Sequence, residues 1–176
     1  MAYHGEMTGI PERTETAEYY FKYIDRIKDR EIISRLEQQL EEMETFLHGI
    51  SEEKSLHRYA REKWSIRQVW NHINDTERVF LFRALWFARG FESPLPSFDQ
   101  DVAVAAARAD ERSWESYVEE FRAVRRDTLA FFRSLPEDAW MRRGEASGNP
   151  FTVRALAYII AGHAAHHAAV LQEKYF

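Results

Sequence analysis

The sequence predicts an all-α protein built as a four-helix bundle, and three observations carry that prediction. Across 176 residues there are only 7 glycines and 5 prolines, too few for the many tight turns of an all-β chain. Four long segments repeat apolar residues at intervals of three and four, the period of one helical face. Helix start and stop signals fall at the ends of those segments. With 45% hydrophobic residues, the chain suffices for one substantial core and is short for two. Residues 1–176 are therefore expected to form a single domain, in which 1–29 are an N-terminal extension.

Within that extension, TAEYYFKYI (16–24) predicts a short helix packed on the bundle. The first main helix is EIISRLEQQLEEMETFLHGI (31–50), with Ile32, Ile33, Leu36, Leu40, Met43, Phe46 and Leu47 on one face and Gly49 as its stop. The second, WSIRQVWNHINDTERVFLFRALWFARG (64–90), opens on Ser65 and Gln68 at capping-box spacing and closes at Gly90. In the third, SWESYVEEFRAVRRDTLAFFRSL (113–135), Trp114, Tyr117, Val118, Phe121, Val124, Leu129 and Phe132 face inward, and Pro136 ends the pattern. The fourth runs from Thr152, a good N-cap, to Lys174. The connections 49–64, 91–112 and 135–151 exceed what a minimal antiparallel bundle needs and leave room for crossovers; VAVAAARA (102–109) is expected to form a short extra helix.

Charge and composition exclude several classes. The balance of 24 Lys+Arg against 29 Asp+Glu, with no basic cluster interleaved with aromatics, argues against nucleic acid. With no cysteine there is no disulfide, thiolate zinc site or cysteine nucleophile, which suits a cytoplasmic location. The N-terminus has no apolar h-region, so no secretory signal is expected. Residues 155–172 carry no acid or base other than histidine, yet three histidines in so short a run favour a buried helix over a membrane span.

The last helix concentrates histidine. His163 and His167, four residues apart, differ by about 40° around the helix axis, so both rings leave one face. They continue the stripe Val153, Leu156, Ile160, and lead on to Val170 or Leu171. In the second helix His72 occupies an equivalent place in the stripe Val69, His72, Thr76, Val79 or Phe80, Arg83, Phe87. Polar rings in a core need partners, because each unsatisfied group costs roughly 1–3 kcal/mol. Three neutral imidazoles from two helices make a tripod that suits Zn, Ni or Fe(II) and leaves positions open. The competing explanation is core histidines satisfied by carboxylates and water. No Glu-x-x-His pair supports a di-iron site, and His163-Ala-Ala-His166-His167 lacks the glutamate of H-E-x-x-H. Gly162 and the neighbouring alanines leave space beside the histidines.

The remaining candidates are weaker. His166 lies one stripe over, in a supporting or solvent role, and His48 suits the last turn of the first helix. His4 and His57 are assigned to the surface, and Trp70, Phe80, Phe82, Trp86, Phe87, Phe131 and Phe132 to the core. Asp75, one turn from His72, is the acid–base candidate, with Glu77 beside it; Thr76 and Arg83 support the pocket, Arg83 as a receiver for an anionic substrate group. Asp99 and Asp101 sit in the loop before the third helix, which is expected to help cover the pocket.

The combination KWSIRQVWNHINDTERVFLFRALWFARG, PLPSFDQD and AGHAAHHAAVL resembles the DinB/YfiT-like family of metal-dependent enzymes, over roughly residues 30–175. The resemblance implies an up-down-down-up bundle, often a homodimer, with a divalent metal on His72, His163 and His167. It also implies a reaction class, since characterised members include S-transferases that use a low-molecular-weight thiol such as bacillithiol or mycothiol, and a thiol-dependent isomerase. The expected partner is a small electrophile as substrate; hydrolysis by the same ion and a non-catalytic metal-binding bundle are the alternatives. The family name records induction by DNA damage and does not imply DNA binding.

Overall fold

A computed structural model describes residues 9–28 and 31–176. Its helices are α1 (Phe21–Ile24), α2 (Ile32–His48), α3 (Ile66–Ala88), α4 (Gln100–Ala107), α5 (Trp114–Arg133) and α6 (Val153–Lys174), with a hairpin of β1 (Arg143–Ala146) and β2 (Asn149–Thr152) ahead of α6. The helix starts follow the sequence signals. The Ser65 hydroxyl accepts from the Gln68 backbone and the Gln68 side chain answers, a complete capping box. Thr152 accepts from the Ala155 backbone, and Asp99, expected in a loop, caps α4. At the stops the outcomes differ. Gly90 takes φ +80°, whereas Gly49 sits at φ −75° and ends α2 without a left-handed residue.

Side-chain contacts fix the helix directions. Trp114 Nε1 donates to the Leu47 carbonyl near the end of α2, while Arg125, later in α5, reaches back to Gln39, so α2 and α5 are antiparallel. Trp70 packs on Trp114 and Phe121 and Glu77 binds Arg125, so α3 and α5 run parallel. His72 meets His167 and Phe80 meets His163, which makes α6 antiparallel to α3. Gln39 reaches Ala161, and Phe46 reaches Phe176, so α6 runs with α2. The order is up-down-down-up. Residues 91–112, carrying α4, return the chain along the bundle so that α5 can start beside the beginning of α3.

The core is split in two. One apolar half joins Ile32 and Leu36, Phe80 to Ala88, Leu129 and Phe132, and Val153 to Ala161. The other joins Met43 and Leu47, Ile66 to Ile73, Trp114 to Phe121, and Ala164 to Leu171. Between them lies a buried polar layer with members from all four main helices: Gln39, His72, Thr76, Glu77, Arg125, Thr128 and His163. Glu77 and Arg125 pair through Nε and Nη2 at 2.8 and 2.9 Å, and Thr128 donates to the same carboxylate at 2.8 Å. Arg125 Nη1 donates to Gln39 Oε1, and Gln39 Nε2 donates to the Ala161 carbonyl at 2.9 Å, two residues before His163.

Three features depart from the sequence reading. The hairpin is new, and its signal was Ser147-Gly148 between two short strands; both residues take positive φ, the two-residue hairpin turn. Phe82, assigned to the core, is 50% exposed, and Trp86 and Phe131 are only partly buried. The space beside Gly162 is filled, because a Cβ there would fall inside contact distance of the Tyr23 main chain. That close approach seats α1 on α6. Phe21, Tyr23, Ile24 and Ile27 join the core, and Glu15 accepts from Thr152 Oγ1 at 2.7 Å and from Arg154. Among the described residues no helix is long and apolar enough to cross a membrane.

Candidate metal centre

The polar layer reaches its functional edge between α3 and α6. His72, in the second turn of α3, and His163 and His167, one turn apart on α6, turn their Nε2 atoms toward each other. His163 Nε2 lies 3.0 Å from His72 Nε2 and 3.1 Å from His167 Nε2. All three candidate ligand atoms fall within 4.8 Å of one another. His72 and His163 are buried and His167 half-buried. Among the described residues no carboxylate or further histidine joins the group.

The hydrogen-bond count fits a cation better than it fits a self-satisfied cluster. A neutral imidazole nitrogen carries either one proton or one lone pair. His163 Nε2 faces two neighbours, so it cannot make a sound hydrogen bond to both. Thr76 Oγ1 stands 3.2 Å from His72 Nδ1, and a hydrogen donated from Nδ1 to that hydroxyl leaves the lone pair on Nε2, aimed at the other two rings. Extra protons are a poor remedy. Burial pushes His72 down to about 4 and His167 to about 3, and it holds His163 well below the usual imidazole range. Among the described residues no acid opposes this; the remaining influences on His163 are the other imidazoles and Lys22. In a tetrahedral zinc site with nitrogen ligands at their usual length, nitrogens stand roughly 3.3 Å apart. The two pairs that share His163 are therefore already near the spacing that a divalent ion requires.

Aromatic residues enclose the cluster. Trp64 packs on the His72 ring at 5.3 Å between centroids, Tyr23 on His163 at 5.2 Å, and Phe80 on His163 at 6.3 Å. Trp64 and Tyr23 were not anticipated as neighbours of the site. A glycine inside an otherwise apolar helix was the available signal for Tyr23, since it marks close approach by another chain segment.

The other sequence candidates separate clearly. Thr76 Oγ1 lies within hydrogen-bond distance of His72 Nδ1. His166 is half-buried, its Nδ1 has no hydrogen-bond partner, and its ring packs on Tyr23 and His167. The Asp75 carboxylate accepts from Asn71 at 2.8 Å and faces Arg78 at 3.5 Å, and burial raises its pKa. It is thus engaged on a flank of α3 about 60° from His72. Glu77 is locked to Arg125 inside the core. Arg83 is buried and donates to Pro96 O and Ser147 Oγ. His48 bonds its own helix at the Glu44 carbonyl, and the His57 ring rests on Tyr175. His4 lies outside the described residues.

Bundle and site together define a four-helix protein with a buried three-histidine group able to hold a divalent metal. The sequence profile of the DinB superfamily matches residues 35–171, and the chain belongs to that superfamily. Among solved structures it is similar to YfiT from Bacillus subtilis, described as "a probable metal-dependent hydrolase with an unusual four-helix bundle topology". The TM-score is 0.70 at 18% identity, over 84% of this chain and 87% of that one, which establishes a shared fold. No curated protein matches the chain.

Proposed function

We propose that this protein is a divalent-metal enzyme whose ion is held by His72, His163 and His167, and that it joins an external thiol to a small electrophile. One observation carries the metal reading: three imidazole nitrogens, from two buried histidines and one half-buried one, converge with no fourth protein ligand among the described residues. A structural zinc is usually closed by four protein ligands, whereas a catalytic site keeps a position open. Bound there, zinc, nickel or iron supplies Lewis acidity that favours the deprotonated form of a thiol or water reaching the site. The chain's own residues do the rest. Thr76 sets the tautomer of His72, and Trp64, Tyr23 and Phe80 cover the His72 and His163 rings.

The thiol reading is supported by the family resemblance and by the absence of cysteine, since any thiol nucleophile must come from outside. Hydrolysis is the second reading, favoured by the description of YfiT. Metal-loaded protein incubated with epoxide and chlorinated probes, with and without bacillithiol, mycothiol or glutathione, separates them. Conjugates that require both a thiol and all three histidines support transfer. Thiol-independent hydrolysis lost in the same histidine variants establishes the hydrolase instead, and the absence of turnover across the panel points to a binding role.

A further inference from the structure

A cavity opens on α3 beyond the histidines. It is a cleft of about 320 Å3 between α3 and the segment after it, with Val79, Phe82 and Arg83 on one wall and Leu95, Pro96 and Phe98 on the other. The outer wall is fixed in place, because Leu95 exchanges backbone hydrogen bonds with Glu145 and Ser147 of the hairpin. Two of its rings stand open to solvent, Phe82 at 50% and Phe98 at 36% exposure.

Arg83 gives the cleft its polarity. The residue is 5% exposed, yet among the described residues no carboxylate lies within ion-pair range of it. Its partners among the described residues are neutral oxygens: Nη2 donates to the Pro96 carbonyl at 3.2 Å and to Ser147 Oγ at 2.9 Å, and the Tyr20 hydroxyl is a third. Burial pulls its pKa below the usual guanidinium range, and among the described residues only the Tyr20 hydroxyl opposes the shift. The contrast with the other buried arginines is direct, since Arg125 is paired with Glu77 and Arg67 with Glu52. Arg78, at the rim, is paired with Glu120. A buried charge is normally paired, so a lone guanidinium on the wall of an apolar cleft is a place for an anion.

We propose that this cleft binds a small organic carboxylate, an aryl or short alkyl acid whose apolar body covers Phe82 and Phe98 while its carboxylate meets Arg83. A volume near the lower end of ligand pockets suits a molecule of that size rather than a lipid or a nucleotide. Arg83 lies on nearly the same stripe as His72 but about 16 Å further along the helix, so binding is independent of the metal reading.

The test uses metal-free full-length protein and the matched probes 4-phenylbutyrate, 4-phenylbutyramide and acetate, followed by calorimetry and by amide chemical shifts. The acid is expected to bind roughly ten- to a hundred-fold more tightly than the amide, the range for one charge-assisted hydrogen bond, and acetate far more weakly than either. The acid should perturb residues 79–83 and 95–98. R83Q should bring the acid down to the level of the amide, R83K should keep a preference for the acid, and F82S should weaken acid and amide together. R83K keeps the charge should R83Q fold poorly. H72A should leave all three affinities unchanged. Equal binding of acid and amide, or an acid preference that survives R83Q, overturns the proposal. So does acid binding that disappears in H72A, because the anion would then sit at the histidines.

Discussion

Replacing Glu77 by leucine removes the counter-charge of a guanidinium that has no route to water. Arg125 is fully buried and Glu77 is 2% exposed, and two hydrogen bonds join them. After the change, Arg125 keeps only Gln39 Oε1 and the Leu36 carbonyl, and Thr128 Oγ1 loses its acceptor. Breaking a buried pair by removing one partner typically destabilises by about 3–5 kcal/mol. Against a usual domain stability of about 5–15 kcal/mol, E77L should lose a large fraction of the total. At roughly 2–4 °C per kcal/mol for a chain of this length, its melting temperature should fall by about 6–20 °C. The double variant E77L/R125M removes both charges and fills the space with apolar atoms, so it should recover most of the loss. Urea titration of metal-free protein gives both values from the midpoint at constant m. A loss under about 1 kcal/mol in E77L, or a double variant less stable than E77L, would refute the view that this charge pair is dry and mutually dependent.

Other outcomes follow from the site. H72A, H163A and H167A should each lose most bound metal by elemental analysis, whereas H166A and H48A keep it, and T76V should bind about 10- to 100-fold more weakly. Retention of metal by H167A together with its loss in H166A would move the ligand set by one residue. Metal-free protein should lose stability as pH falls from about 6.5 toward 4, because the unfolded chain takes up protons that the buried rings refuse. With the folded pKa of His72 near about 4, that residue alone is worth roughly 3 kcal/mol over the window and contributes no slope above it. A urea midpoint that stays flat between pH 6.5 and 5 would contradict this. G162A should lift α1 from α6, at a cost of about 1–3 kcal/mol, and raise hydrogen exchange in residues 18–24 more than in α3.

Much of this protein was written in local patterns. The 3.6-residue period marked four helices, the Ser65–Gln68 box and Thr152 set the starts of α3 and α6, and the stripes brought His72, His163 and His167 to one place. Those signals are legible because caps and amphipathic faces depend on residues within a turn or two of each other. Tertiary structure decided the rest. Arg125 reads as one more surface charge beside Arg126 until α2 and α3 bury it, and Gln39 gains its role only when Ala161 arrives from 122 residues away. The polar layer that separates the two apolar cores is a property of four helices in one register, so no single helix displays it. Likewise Gly162 looked like empty space in sequence, and only the fold showed that the Tyr23 backbone fills it and brings that ring against His163. Short-range geometry fixed which side chains share a face; which faces meet, and what charge is left without a partner, depended on contacts far apart in the chain.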